Sequence, residues 1–172
     1  MKALNYSEKY NQQVKIFDPW VQFEQKSVYG ALLMDVGRYE EAERVFREIL
    51  NIYQEISWLD HVIWAQISLG RLALLQDNPR QAMKWIEQFL SLDINKGFKL
   101  FYYHLNIVPY HLVAYQVLKA NVDPRAEKIL EEGYKVLMER ASQIDNEEMR
   151  RSYLENVPSN RELAALWQAQ HE

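Results

Sequence analysis

SVYGALLMDVGRYEEAERVFREIL, residues 27–50, carries the two spacings that decide the fold. From Ala42 onward, Ala42, Val45, Phe46, Ile49, Leu50, Tyr53 and Ile56 recur at the i, i+3, i+4, i+7 spacing of one buried helical face. Twelve residues before Ala42 stands Gly30. Small residues at both positions let two helices approach closely and cross as an antiparallel hairpin. The arrangement recurs with Gly70 ahead of Ala82, Trp85, Ile86, Phe89 and Leu90. It recurs again with Ala114 ahead of Ala126, Ile129, Leu130, Tyr134 and Leu137. The steps from Gly30 to Gly70 and from Gly70 to Ala114 are nearly equal, which reads as an imperfect helix-hairpin repeat whose units bury their faces by stacking.

Each second helix has a start signal: Gly37-Arg38-Tyr39, Asn78-Pro79 and Asp123-Pro124. In the last two, Asn or Asp caps while proline takes the first helical position, where no N–H is needed. The first helices are expected near residues 19–36, 60–76 and 98–121, the last broken or restarted at Pro109. The organisation expected is an N-terminal helix over 5–17, repeats over 19–56, 60–92 and 98–142, and a closing segment over 147–170.

Composition fits this reading. Hydrophobic residues make up 48% of the chain, which argues against disorder, and 5 Gly with 5 Pro are too few for the turns of an all-β protein of this length. The net charge of −4, with Lys and Arg scattered, supplies no basic field, so nucleic acid is not an expected partner. Zero cysteines exclude disulfides, thiolate catalysis and cysteine-ligated metal. The N-terminus MKALNYSEKYNQQ lacks the apolar core of a signal peptide. The most apolar run, LFYYHLNIVPYHLVAY over 100–115, is interrupted by two His, an Asn and a Pro, so neither export nor a membrane span is expected. A cytoplasmic location follows as an expectation.

The tail, RRSYLENVPSNRELAALW over 150–167, reads as a cap. Ser159 and Glu162 have the spacing of a capping box that starts a helix at Asn160, after Pro158 breaks the preceding one. Leu163, Leu166 and Trp167 then share a face that, with Tyr153, Leu154 and Val157, covers the open side of the third hairpin.

Candidate chemistry is sparse. His104 and His111 lie two helical turns apart, about 10 Å, too far for two ligands of one metal without other elements. His61 beside Asp60 reads as a helix-start pair. No phosphate loop, dinucleotide fingerprint or nucleophile elbow occurs. Glu40, Glu41, Glu43 and Glu48 with Arg44 and Arg47 read as a solvated face, as do Glu127, Glu131 and Glu132 with Lys128 and Lys135. Arg150 and Arg151 are expected to pair with Glu147 or Glu155, the other reading being an anion site at a partner surface. No catalysis, cofactor or metal is expected.

Residues 27–50 resemble a tetratricopeptide repeat, with Tyr29, Gly30, Leu33, Tyr39, Ala42 and Phe46 at signature positions. Leu69, Gly70, Ala82 and Ile86 match in the second unit, and Ala114, Ala126 and Leu130 in the third. The period is longer than is usual for such repeats, and Lys26 and Gln66 stand where the motif favours Trp. Residues 136–167, through RRSYLENVP followed by NREL, are similar to the closing segment of tetratricopeptide arrays in large bacterial signalling ATPases. The resemblance implies an all-α, right-handed superhelical stack of antiparallel hairpins with a C-terminal capping helix. It implies a protein–protein interaction scaffold, or alternatively a ligand-sensing segment of such a regulator. It also implies a concave groove lined by Glu24, Ser27, Met34 and Asp35, by Trp64, Ile67, Arg71 and Leu74, and by His111, Tyr115 and Lys119. That mixture of aromatic, apolar and charged groups suits a partner peptide or helix with apolar anchors.

Overall fold

The computed structural model describes residues 19–91 and 107–171, apart from the side chains of Pro19 and Trp20. The expected N-terminal helix over 5–17 and the start of the third repeat lie outside them. The described residues are all-helical and divide into two compact units, the first ending at Phe89 and the second following it.

The first unit contains α1 (Pro19–Asp35), α2 (Tyr39–Glu55), α3 (Leu59–Leu75) and α4 (Pro79–Ser91). The helix starts at Pro19, Tyr39, Leu59 and Pro79 fall at equal intervals, and two such intervals carry Gly30 onto Gly70. Three-residue connections leave room only for antiparallel neighbours. The hairpins cross at the small residues. A Cβ added to Gly30 would lie 2.4 Å from Cε1 of Phe46, and one on Gly70 would lie 2.9 Å from Cγ2 of Ile86. Ala42 and Ala82 are fully enclosed. One continuous core joins Phe23 and Leu33 of α1, Phe46, Ile49 and Tyr53 of α2, and Val62, Ala65, Leu69 and Leu72 of α3.

The same translation extends to polar contacts. Lys26 Nζ meets Glu48 Oε1 at 2.7 Å, and one period on, Gln66 Nε2 donates to Gln88 Oε1 at the same distance. The residues that depart from the motif's usual Trp thus make one polar clasp between the two helices of each hairpin.

The second unit contains α5 (Val108–Ala120), α6 (Ala126–Ser142), α7 (Glu147–Glu155) and α8 (Pro158–His171). Pro109 lies in the first turn of α5, where its missing N–H costs nothing. Here the tight approach is at Gly133, whose added Cβ would lie 2.7 Å from Cβ of His111 and 2.9 Å from Cδ1 of Leu163. α8 closes the unit by packing on α5 and α6, with Leu163 fully buried and Trp167 stacked on Tyr134 at 4.9 Å between centroids. Leu166 is half-buried.

Two start signals operate differently from expectation. Asn78 does cap α4, its Oδ1 accepting from the N–H of Gln81 at 3.2 Å. Asp123, however, accepts from the N–H of Arg125, and α6 begins only at Ala126, leaving Pro124 in the turn. The capping box at Ser159 and Glu162 does not form. Pro158 opens α8 instead of ending α7, and Glu162 accepts from the Gln116 amide of α5 at 2.7 Å. The join between α7 and α8 is made by Asn160, fully buried, whose Nδ2 donates to the Tyr153 carbonyl at 2.9 Å.

Helices α1, α2, α3 and α5 end in the same turn. A residue in the left-handed region, Gly37, Ser57, Asp77 or Val122, donates to a carbonyl three residues back, and the next residue donates to one five back. Val122 is β-branched, sits at φ 55° and is 91% exposed, so nothing repays its strain. Val122→Gly is therefore expected to stabilise the protein by about 1 kcal/mol in denaturant unfolding. A lower midpoint would show that the Val122 side chain contributes to folding.

Candidate docking faces

In the first unit the positions expected to face a groove split by burial. Ser27, Met34 and Ile67 are buried, and the Ser27 hydroxyl donates to the Glu24 carbonyl at 2.9 Å. Trp64 is half-buried because its indole meets Phe23 and Phe46 edge-on, at 5.1 and 5.6 Å between centroids. Leu74 is half-buried, whereas Glu24, Asp35 and Arg71 stand in solvent. Arg71 and Asp35 are thus the charged ends that the first helices leave open. His61 is nearly enclosed, stacked on Tyr53 with Phe23 4.0 Å away, and its Nδ1 lies 2.8 Å from the Asp60 carboxylate.

In the second unit His111 is fully buried, with Nδ1–H donating to the Ile107 carbonyl at 3.0 Å, and Tyr115 is buried with its hydroxyl accepting from Gln170 at 2.9 Å. Lys119 is exposed. Its Nζ holds Glu127 at 2.9 Å, which raises its pKa, and lies 5.9 Å from the Tyr115 ring centroid. Lys119 also lines a cleft of about 620 Å³ with Glu127, Lys128, Trp167, Gln170 and His171. His171 stacks on Trp167 at 3.7 Å. The α8 contribution to this cleft was not legible as a binding feature, because the pattern of Leu163, Leu166 and Trp167 already accounted for the helix as a cap. The spacing of Trp167 and His171, one turn apart, was the available signal.

Among the described residues no group of three or more His, Asp or Glu side chains could hold a metal ion, and no helix is long and apolar enough to cross a membrane. His104 lies outside those residues.

Paired antiparallel helices, joined by repeated short turns and crossing at small residues, define a helix-hairpin repeat scaffold. Residues 26–94, from within α1 to beyond α4, match the tetratricopeptide repeat family, whose repeats generally mediate protein–protein interactions on a non-catalytic fold. Neither the curated proteins nor the solved structures yield a match to the chain.

Burial pushes the His111 imidazole down to about 4, against the raising effect of the Ile107 carbonyl. A buried neutral histidine contributes stability that is present above its unfolded pKa near 6.5 and is lost as pH falls toward 4. Over that window the loss attributable to His111 is on the order of 3 kcal/mol. Urea unfolding followed across this range should show that slope in the wild type and a shallower one in His111→Leu. Equal slopes would place the acid sensitivity elsewhere.

Proposed function

We propose that this chain is a non-catalytic cytoplasmic scaffold that holds a peptide or helix of a partner protein on the first helices of its hairpins. The contacts proposed in the first unit are Asp35, the open edge of Trp64 and Arg71, with Ser27 and Ile67 setting the floor. In the second unit they are Lys119, with Tyr115 and His111 behind it. The observation that carries the reading is the cleft beside Lys119. Lys119 is its one residue from a first helix, with Glu127 and Lys128 from α6 and Trp167, Gln170 and His171 from α8 completing it, and the cleft combines cations, carboxylates and an aromatic stack. Arg71 and Lys119 then hold acidic groups of the partner, and Trp64 and Trp167 pack on apolar anchors.

A second reading makes the chain a regulatory, ligand-sensing segment of a bacterial signalling ATPase. The similarity of residues 136–167 to the closing segments of such proteins supports it.

Short random peptides displayed on phage and selected against the full chain test the first reading. Selected peptides should lose about tenfold or more in affinity for Arg71→Glu or Lys119→Glu, with the circular dichroism spectrum unchanged. Undiminished binding by the double variant would remove the proposed face. A small molecule that raises the melting temperature where no peptide is enriched would favour the second reading.

A further inference from the structure

The turn from α2 into α3 reads Ile56-Ser57-Trp58-Leu59 and differs in kind from its counterparts. The residue ahead of the next helix is Arg38 before α2, Asn78 before α4 and Trp58 before α3, and Trp58 brings no side-chain cap. Ile56, Trp58 and Leu59 are 42%, 37% and 38% exposed, which puts three large apolar side chains in one short stretch of surface. The indole is fixed by its neighbours, stacking on Tyr53 at 5.9 Å and meeting His61 at 5.1 Å between centroids. Beside the turn lies a cleft of about 310 Å³ lined by Gln54, Ser57, Leu59, Gln88 and the buried Val62. Gln54 is exposed there, and its carboxamide has both a donor and an acceptor for a passing peptide backbone.

Charge selects what such an apolar surface takes. Neighbouring helices run antiparallel, so the starts of α1 and α3 and the ends of α2 and α4 share one end of the first unit with this turn. Among the seven residues of each helix nearest that end, the carboxylates are Glu24, Glu55, Asp60 and Glu87, and there is no Lys or Arg. At the opposite end the same span, with its turns, carries five acidic residues balanced by Arg38, Arg44, Arg71, Arg80 and Lys84. The exposed apolar turn therefore sits at the one end of this unit whose field has a single sign.

We propose that the turn between α2 and α3, with the cleft beside it, is a second docking surface, separate from the faces of the first helices. Its occupant is a segment of a partner protein that carries a large apolar side chain close to a Lys or Arg. The apolar group enters the cleft against Leu59 and Val62 and extends over Ile56 and Trp58, while the Gln54 carboxamide holds the backbone of the segment. Glu55 and Asp60, which flank the turn in sequence, supply the counter-charge to the cation. An apolar centre with carboxylates around it suits this chemistry and repels nucleic acid and anionic membrane.

The test uses the full chain and an array of labelled peptides in which Lys or Arg is placed at varied spacing from a Trp, Phe or Leu. The same peptides with Gln at the basic position, or with Ser at the apolar one, serve for comparison. Peptides with both features should bind, and removal of either feature should abolish binding. Glu55→Lys should weaken binding about tenfold and Ile56→Asn several-fold, with the circular dichroism spectrum unchanged, while Glu40→Lys at the opposite end leaves it unaltered. Undiminished binding by the Glu55→Lys and Ile56→Asn variants would overturn the proposal. So would an absence of binding by every peptide, or equally tight binding by oligolysine, which would show attraction without a seat. Binding lost in Arg71→Glu and Lys119→Glu but kept in Glu55→Lys would assign the peptides to the first helices and overturn it too. Self-association that Ile56→Asn abolishes would make a second copy the occupant, and binding seen only in a Lys96→Glu/Lys99→Glu variant would make it the chain's own residues 92–106. Either result would equally overturn the proposal.

Discussion

The contact of Gly30 with the Phe46 ring is the constraint on which the first hairpin depends. Without a side chain at residue 30, the α1 backbone reaches the ring at a separation that any Cβ would violate. The approach fixes where along their lengths α1 and α2 cross, and therefore which residues of α2 face α3. Gly70 against Ile86 repeats the device one period later. In the second unit the same job passes to the opposite helix: Gly133 of α6 admits His111 of α5 and, beside it, Leu163 of α8. One absent side chain there seats both the hairpin partner and the closing helix.

Regular spacing follows from the ends of the helices as much as from their faces. The left-handed turn after α1, α2 and α3 satisfies two carbonyls at each C-terminus and delivers the chain to the next start within a few residues. Only one of the four such turns uses glycine, so the geometry is imposed by packing on either side and by the hydrogen bonds, not by local preference. The clasps Lys26 to Glu48 and Gln66 to Gln88 show the same logic: the position is structural, and the chemistry filling it is free to change from ionic to neutral. Function then has room on surfaces that this frame does not consume, such as the exposed ends of the first helices.

Much of the architecture was legible because it is periodic. The recurrence of Gly30, Gly70 and Ala114 with Ala42, Ala82 and Ala126 gave hairpins, and Leu163 and Trp167 gave the closing helix. What stayed hidden depends on contacts far apart in sequence. Glu162 has the spacing of a capping residue but serves Gln116 on a different helix. Asn160 looks like the start of a helix and proves to be a buried bridge to Tyr153. His111 sits at a groove position of the motif, yet the small residue that encloses it, Gly133, lies on the following helix and was not among the small residues the repeat pattern singled out. Burial of this kind cannot be read from a single helix, because it is decided by the side chain missing from another.

A double-mutant cycle between residues 30 and 46 tests the close approach most directly. Helix propensity alone would make Gly30→Ala stabilising by about 0.5–1 kcal/mol. The packing described here predicts instead a loss of about 1–3 kcal/mol. Phe46→Leu introduced beside it should recover part of that loss, so that the two changes together cost at least about 1 kcal/mol less than their sum. Additive effects, or a stabilised Gly30→Ala protein, would contradict the crossing at Gly30 and with it the register of the hairpin.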